Sequence, residues 1–510
     1  MNTIAILFGA ELRDTAFEEL MPGKSAFLLT LTRVREFEGI TKIALLTGDE
    51  FNEERIPQSA GPLVLIKKTV WNTKILLDTI CELSAGFDLI YFAWADTPLI
   101  DAELSRAIKN RIIKYAGEYG YADGWPQGLS PELFLPSTAV FLAKIAEGSQ
   151  EAVRRDTIFS VIQKDINSFD IETELAPVDL RSYRLLFAAD SRRNLLLLRR
   201  FLEAGWRDYN DAAPLIAKHP EFLRTLPAFF PIMVCSVCPQ KCKFCPYSKN
   251  SPAAEFMQPE RFSSILDKII AFSGDAVIDI SLWGELALHP ARIELIAAVL
   301  ERPQLSLVIE TCGIGWQPGD VEKIAALNAG AKPRLNLMAP VSWIVSLDSA
   351  SPERYFNLHG EGFEEAAGFA KTLLGAFDKT VYVQALRMRG EEDDAEAFYR
   401  FWKDAGAEVI IQKYNNFCAS LSDESAGDIS PLHRQPCWHI MRDFPIMLDG
   451  SVPVCRERQA AGDTEFLAAA GADTTFETAW ERGAALYAEH CAGRWSALCE
   501  RCDEYYTFNF

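Results

Sequence analysis

Four cysteines fall within eleven residues near the middle of the chain, in the stretch CSVCPQKCKFCPY at residues 235–247. Three of them, Cys238, Cys242 and Cys245, have the spacing C-x3-C-x2-C. A cubane iron-sulfur cluster that is held by three thiolates keeps one iron without a protein ligand, and that iron can bind a substrate or cosubstrate. The apolar residues 229–234 before the cysteines predict a strand, so the three thiols should lie in the loop that follows it.

Two other kinds of site use similar cysteines. Cys235 with Cys238 and Cys242 with Cys245 form two C-x2-C pairs, which could bind zinc or belong to a ferredoxin-type cluster. Zinc-binding pairs are normally separated by about a dozen residues or more, and the ferredoxin run orders its gaps as two, two and three before C-P. The gaps here are two, three and two, so both alternatives fit less well than the three-thiolate cluster.

The spacing of Cys238, Cys242 and Cys245 resembles that of the radical S-adenosylmethionine (SAM) superfamily, in which an aromatic residue, here Phe244, usually precedes the last cysteine. The resemblance implies that the three cysteines hold a [4Fe-4S] cluster at which S-adenosyl-L-methionine binds. It also implies a radical SAM enzyme that receives electrons from a donor such as flavodoxin or ferredoxin.

The region from about residue 225 to 412 predicts six pairs of strand and helix, and hence a parallel sheet with right-handed crossovers. Six such units resemble the partial (β/α)6 barrel of the radical SAM enzymes, in which the chemistry belongs at the C-terminal ends of the strands. After the strand at 229–234, the predicted strands are residues 276–282, 305–310, 342–345, 381–386 and 409–411.

Two short motifs stand at the ends of these predicted strands. Ser-Leu-Trp-Gly-Glu, with Gly284 and Glu285, resembles the family's Gly-Gly-Glu motif for the methionyl amino group of SAM, with a tryptophan in place of the first glycine. Val-Ser-Leu-Asp-Ser resembles the segment that reaches the ribose of SAM, here through Ser346 or Asp348. As isolated residues, these last two are more commonly helix caps. Cys312, after the third strand, is predicted to be a small buried residue.

The first third of the chain predicts a separate α/β domain, with strands at residues 4–8, 43–47, 63–66 and 89–95. Its strand-end loops resemble those of the nucleotidyltransferase fold, which implies that Arg13 and Lys24 contact phosphates and that Asp96 holds magnesium. However, Ala-Glu-Leu stands at the place where that family has glycines to cradle the phosphates. We therefore expect the fold without nucleotidyl transfer, and the plainer alternative is that all three side chains are solvated loop charges.

The cysteines near the end of the chain form a second pattern, in which Cys437, Gly450 and Cys455 are followed by the pair Cys499 and Cys502. This pattern resembles the C-terminal SPASM or twitch extension of radical SAM enzymes. It implies four thiolates that complete one auxiliary [4Fe-4S] cluster with no open iron. Zinc held by the same four thiolates is the alternative. Four other cysteines have no predicted partner: Cys81, Cys235, Cys418 and Cys491.

The composition limits the choice of partners and compartment. The chain has 510 residues, 49% hydrophobic content and a formal net charge of −20, so it can form about three domains with large cores. The negative charge argues against binding to nucleic acid or to an anionic membrane. Residues 1–10 lack the basic segment of a signal peptide and predict a buried strand. Clustered cysteines suit metal ligation in a reducing compartment, which predicts a cytoplasmic protein.

The predicted organisation is a nucleotidyltransferase-like α/β domain (1–190), a helical connector (191–226), a radical SAM partial barrel (227–430) and a SPASM or twitch iron-sulfur domain (431–510). This order resembles the spiro-SPASM family. It implies reductive cleavage of SAM to a 5′-deoxyadenosyl radical that modifies or oxidises a substrate, with a peptide or protein side chain favoured over a small molecule. The alternatives are a dehydrogenase of a sugar or cyclitol hydroxyl, and a non-catalytic iron-sulfur binding or electron-transfer protein.

Overall fold

The computed structural model describes residues 1–247, 253–390, 392–471 and 473–507, which fall into two units, Met1–Leu223 and Arg224–Phe510. Within these described ranges, no helix is both long and apolar enough to cross a lipid bilayer.

The first unit is built on a sheet with helices packed against it. Its strands are β1 (Thr3–Phe8), β2 (Glu19–Met21), β3 (Lys24–Ser25), β4 (Ile40–Gly48), β5 (Val64–Lys68), β6 (Leu89–Trp94), β7 (Tyr119–Asp123), β8 (Glu132–Phe134) and β9 (Ile171–Leu175). Its helices are α1 (Ala26–Val34), α2 (Thr73–Ser84), α3 (Ala102–Tyr115), α4 (Pro136–Ile145), α5 (Thr157–Gln163), α6 (Arg192–Glu203) and α7 (Ala212–Lys218).

The seven-stranded sheet of this unit has the order β5-β4-β1-β6-β8-β7-β9. Strand β1 is buried along its whole length, because it is flanked by the parallel strands β4 and β6 and has helices over both faces. Strand β8 is antiparallel to both of its neighbours, so the sheet is mixed. The predicted α/β class of this region is confirmed, and its first residues form a buried strand as expected.

The second unit contains the cysteine motifs. Its strands are β10 (Phe229–Pro231), β11 (Ala276–Asp279), β12 (Leu305–Thr311), β13 (Val341–Ser346), β14 (Val381–Arg387), β15 (Glu408–Lys413), β16 (Val452–Pro453) and β17 (Phe466–Ala468). Its helices are α8 (Pro259–Ser273), α9 (Arg292–Leu300), α10 (Asp320–Gly330), α11 (Pro352–His359), α12 (Phe363–Ala376), α13 (Glu392–Asp404), α14 (Trp438–Arg442), α15 (Arg456–Ala460), α16 (Phe476–Arg482), α17 (Ala484–Cys491) and α18 (Ala497–Glu500).

Strands β10 to β15 form one parallel sheet in which each strand pairs with the next in sequence. Parallel neighbours that are joined by helices place all their carboxyl ends at one edge, where the predicted motifs then meet. Along the free edge of β10, Phe229 and Ile232 bridge to Asp443 and Ile446 of the C-terminal segment. That segment also packs Trp480 into the core of the six-stranded sheet, so the tail and the sheet share one hydrophobic core.

Candidate active site

Cys238, Cys242 and Cys245 line one cleft at the carboxyl edge of the six-stranded sheet. They lie in the loop after β10, as the sequence predicts, because the chain leaves the short strand at Pro231 and continues along this edge. The loop closes on itself through the Cys245 N–H, which donates to the Cys242 carbonyl (3.1 Å). Three thiols on one short loop are the donor set that a cubane with an open iron requires, so these residues fit the implied [4Fe-4S] cluster.

Helix α11 holds the cysteine loop in place. The backbone N–H groups of Lys241 and Lys243 donate to the carbonyls of His359 and Leu358 at the end of this helix (3.2 and 2.9 Å). The side chain of Gln240 donates to the Glu361 carbonyl just beyond it (2.9 Å). The carbonyls at a helix end have no partner within the helix. Here the cysteine loop supplies their donors, so the loop and the helix support each other.

His359 contacts one of the three thiols and was not singled out from the sequence. Its Nδ1 lies 3.0 Å from Cys242 Sγ, and its Nε2 lies 2.8 Å from Asp348 Oδ2. The His359 ring is buried, it stacks on the Tyr355 ring, and it makes a T-shaped contact with the Phe244 ring. A histidine at a helix end carries no motif, and its partner Cys242 is 117 positions away in the sequence. His359 therefore connects Cys242 to a buried carboxylate.

Asp348 has a different environment from the one expected. Its two carboxylate oxygens are engaged by His359 Nε2 (2.8 Å) and by the Leu386 N–H (2.6 Å). The residue is buried and has a left-handed backbone with φ of 59°. The arrangement gives Asp348 the role of orienting His359, and a ribose contact through this carboxylate stays a prediction. The predicted place of Phe244 against the cofactor also stays a prediction, although its ring lies in the cleft.

Gly284 and Glu285 join the second strand to the cysteine loop. The Glu285 N–H donates to the Val237 carbonyl (2.8 Å), and a Cβ atom on Gly284 would lie 1.9 Å from the Cys235 carbonyl oxygen. Only glycine fits at so close an approach. The Glu285 carboxylate is buried and accepts hydrogen bonds from the N–H groups of Ala287 (3.0 Å) and Cys312 (2.8 Å), among others. Its side chain therefore fixes the loop after β12.

Two further cysteines lie close to the predicted three. Cys312 is buried, as predicted, but it also lines the cleft, and its thiol contacts that of Cys238. Cys235 is buried beneath the loop, where its thiol donates to the Val237 carbonyl (3.4 Å). Burial raises the pKa of Cys235 to about 11.

The polar wall of the cleft contains a pair of carboxylates. Burial, and then the charge of Glu310, raise the pKa of Asp279 to about 7. The Ser281 N–H donates to Asp279 Oδ1 (2.9 Å), and Glu310 Oε1 accepts from Gln384 Nε2 (3.2 Å) and Ser346 Oγ (3.5 Å). Ser346 thus lines the cleft, as a cosubstrate contact would require. Because its pKa is close to neutral, Asp279 can exchange a proton with a bound molecule at physiological pH.

Arg456 reaches the same cleft from the C-terminal segment. Burial opposes its charge, but the carboxylates of Glu457, Asp443, Glu310 and Asp279 outweigh that effect and raise the pKa of Arg456. The guanidinium Nε donates to Glu457 Oε1 (2.9 Å). Since Arg456 directly follows Cys455 in the sequence, one short segment connects the cleft with the second group of cysteines.

The four predicted tail cysteines come together around one enclosed space. A fifth cysteine, which the sequence pattern left without a partner, lines the same space. Among the described residues, no three Cys, His, Asp or Glu side chains are placed to hold a single metal ion. The five cysteines are Cys418, Cys437, Cys455, Cys499 and Cys502.

A buried donor beside these thiols fits an iron-sulfur cluster. His490 Nδ1 accepts the Cys437 N–H (3.4 Å), so the ring proton lies on Nε2. That atom is buried without a hydrogen-bond partner among the described residues. Burial, followed by the charges of Arg434 and Arg458, lowers the pKa of His490 to about 4, so the ring is neutral. A sulfide or thiolate in the enclosed space would accept this hydrogen bond.

In the first unit, Asp96 forms an ion pair with Arg155. It is buried, and its two oxygens accept hydrogen bonds from the Arg155 guanidinium (3.1 and 2.6 Å), which also contacts Asp190 (3.1 Å). Asp96 is therefore a buried, paired carboxylate and not a solvated loop charge, and its magnesium contact stays a prediction. Lys24 is exposed and Arg13 is half-buried, and their phosphate contacts stay predictions.

Residues 232–401 match the family model described as the Radical SAM superfamily. A protein of Treponema pallidum (strain Nichols), described as uncharacterized, is 36% identical over 368 residues, which cover 69% of this chain and 98% of the relative. Streptococcus suis SuiB bound to its precursor peptide SuiA is 14% identical with a TM-score of 0.42, covering 69% of this chain and 83% of SuiB. A cytidylyltransferase from Leptospira borgpetersenii serovar Hardjo-bovis is 16% identical with a TM-score of 0.37, covering 44% of this chain and 96% of its own.

Proposed function

We propose that this chain generates a substrate radical and oxidises or otherwise modifies that substrate. The chain belongs to the radical SAM superfamily and to one family with the Treponema pallidum protein. The [4Fe-4S] cluster with its bound SAM supplies the chemistry, which is reductive cleavage of SAM to methionine and a 5′-deoxyadenosyl radical. The observation that carries the proposal is the meeting of Cys238, Cys242 and Cys245 with the strand-end residues in one cleft.

The residues of the chain supply position and exclude water. The three thiolates would hold the cluster by three corners, and α11 would keep their loop in register through the bonds of Lys241 and Lys243. Gly284 allows the second strand end to approach the cysteine loop, and Ser346 faces the same space. These contacts support binding of SAM between the loop and the strand ends, where its methionyl group would meet the open iron.

We further propose that the tail is a SPASM or twitch extension, of the spiro-SPASM type, with one auxiliary [4Fe-4S] cluster. Four of its cysteines follow the predicted spacing and line one space. The buried His490 N–H, which has no hydrogen-bond partner in the described part of the chain, supports an anionic occupant there. Such a cluster would accept an electron from the substrate radical, which makes the net reaction an oxidation.

For the substrate we propose a peptide or protein side chain. The net charge of −20 and the large first unit support docking of a macromolecule, and we assign that unit to recognition of a partner. Its Asp96 is paired with Arg155, which supports a role other than nucleotidyl transfer.

The experiment is to supply the reduced protein and SAM with perdeuterated host-cell fractions, separated into peptides and small molecules. We expect deuterium in 5′-deoxyadenosine from the peptide fraction, measured by mass spectrometry, and no 5′-deoxyadenosine from the Cys242→Ala variant. Deuterium from the small-molecule fraction alone would contradict the peptide assignment. Absence of 5′-deoxyadenosine with every fraction would favour the non-catalytic electron-transfer alternative.

One observation favours a second candidate, a dehydrogenase of a sugar or cyclitol hydroxyl. Oxidation of an alcohol removes a hydrogen atom from carbon, a proton from oxygen and one further electron. Asp279 in the cleft, with a pKa of about 7, is suited to accept the proton. Under this candidate the small-molecule fraction transfers deuterium, and the product is a ketone.

A further inference from the structure

The enclosed space at the tail cysteines is lined by one more thiol than a cubane requires. Four thiolates complete a [4Fe-4S] cluster, and Cys437, Cys455, Cys499 and Cys502 already supply them in the predicted spacing. Cys418 lies nineteen positions before Cys437 in the sequence and lines the same enclosed space. It is 2% exposed, and its thiol interacts with that of Cys502 across the space that both line. It is therefore placed with the ligand set and not with the general core.

The backbone around Cys418 is unusual. Phe417, Cys418 and Ala419 have φ values of 49°, 57° and 64°, so three successive residues with side chains occupy the left-handed region that favours glycine. Two asparagines hold this conformation. The Asn415 Oδ1 accepts the Phe417 N–H (2.7 Å), and the Asn416 Oδ1 accepts the Ala419 N–H (2.9 Å). Strain of this kind persists only where the surroundings determine it strongly, and it is concentrated at functional sites.

The strained loop is also attached to the tail cysteines. The Asn415 side chain donates to Glu457 Oε2 (2.8 Å), in the helix that begins directly after Cys455. Cys418 is thus held beside the four tail cysteines by its own backbone conformation and by the bond from Asn415 to the helix that follows Cys455.

We propose that Cys418 is a fifth thiol of the auxiliary centre and can replace Cys502 as the ligand of the same iron. The inference rests on the proposed auxiliary cluster. In the exchange, the Cys418 sulfur forms a bond to iron as it loses its proton, and the Cys502 sulfur takes up that proton as its bond to iron breaks. The proton passes along the contact between the two thiols, and no electron is transferred.

The test uses the full chain with Cys238, Cys242 and Cys245 all changed to Ala, so that only the auxiliary cluster contributes iron. Into this background go Cys418→Ala, Cys502→Ala, the double change, and Cys499→Ala as the matched control. Each protein is reconstituted anaerobically, assayed for iron, and oxidised with ferricyanide. A cubane that lacks one thiolate loses its open iron and gives the paramagnetic [3Fe-4S] signal, whereas a cubane with four thiolates is protected.

We expect the two single variants at Cys418 and Cys502 to keep about four irons and to give no [3Fe-4S] signal. The double variant and Cys499→Ala should both give the signal or lose the iron. If Cys502→Ala behaves like Cys499→Ala, or if the double variant behaves like Cys502→Ala, the ligand exchange is wrong while the auxiliary cluster stands. If the background protein holds no iron at all, the auxiliary cluster itself is wrong and the exchange falls with it.

Discussion

At the scale of single residues, His359 contacts a predicted cluster ligand, so its removal tests the chemistry of the cluster apart from the folding of the chain. Its Nδ1 lies 3.0 Å from Cys242 Sγ, and Asp348 fixes its orientation. Mutation of a group that contacts a metal ligand in this way typically lowers metal affinity or activity by about 10–100-fold. We expect His359→Ala to slow formation of 5′-deoxyadenosine by about that factor, measured against the iron content of the same sample.

The control is His289→Ala, because His289 is equally buried but bonds to the Met257 carbonyl (3.0 Å) and, among the described residues, to no cysteine. If both variants lose activity alike, the effect reflects general damage to the core and His359 has no special role.

The raised pKa of Asp279 predicts that product formation depends on pH. Its pKa is raised to about 7, so the carboxyl is protonated below that pH and becomes a proton acceptor above it. If the substrate reaction releases a proton to Asp279, product formation should rise as the pH increases through about 7. Cleavage of SAM without substrate should not follow this curve. In Asp279→Asn the rise should disappear, and a rise that persists in this variant would assign it to another group.

At the scale of secondary structure, the turn after β11 determines whether the cysteine loop can form. A Cβ on Gly284 would lie 1.9 Å from the Cys235 carbonyl oxygen, which is backbone and can yield only by moving the loop. Forced overpacking of this kind costs about 1–3 kcal/mol or more. We expect Gly284→Ala to lose the iron of the cleft while the tail keeps its own, as measured by iron per chain.

Gly368→Ala is the matched control, since Gly368 lies within α12 and an added Cβ meets no atom within 4 Å. Alanine is the better helix former there by up to about 1 kcal/mol, so the midpoint of thermal unfolding should stay or rise. Equal loss of iron in both variants would mean that the close approach at Gly284 is unimportant.

At the scale of the whole molecule, the second unit should carry two clusters in one core. The sheet and the tail share that core, and the two groups of cysteines line separate spaces within it. Anaerobic reconstitution should therefore give about eight irons and eight sulfides per chain. Changing Cys238, Cys242 and Cys245 together to Ala should leave about half. A triple variant with zinc and no iron would show that the tail is a zinc site.

The sequence by itself determined the elements and the cysteine groups of this protein. The strands at residues 305–310 and 381–386 follow from local apolar patterns, and the structure contains both within one residue. Cys238, Cys242 and Cys245 could be assigned together because all three lie in one loop. A local pattern suffices for such features, since the backbone of a strand or helix turns successive side chains toward or away from the core with a period of a few residues.

Only the tertiary structure decided which distant side chains meet. His359 reaches Cys242 across 117 positions, and Arg155 neutralises Asp96 across 59, so neither pairing leaves a mark in the local sequence. Cys418 likewise has no recognisable spacing to Cys502. The physical reason is that parallel strands bring their ends to one edge whatever the length of the connections, so the partners at that edge are set by packing and by the path of each crossover.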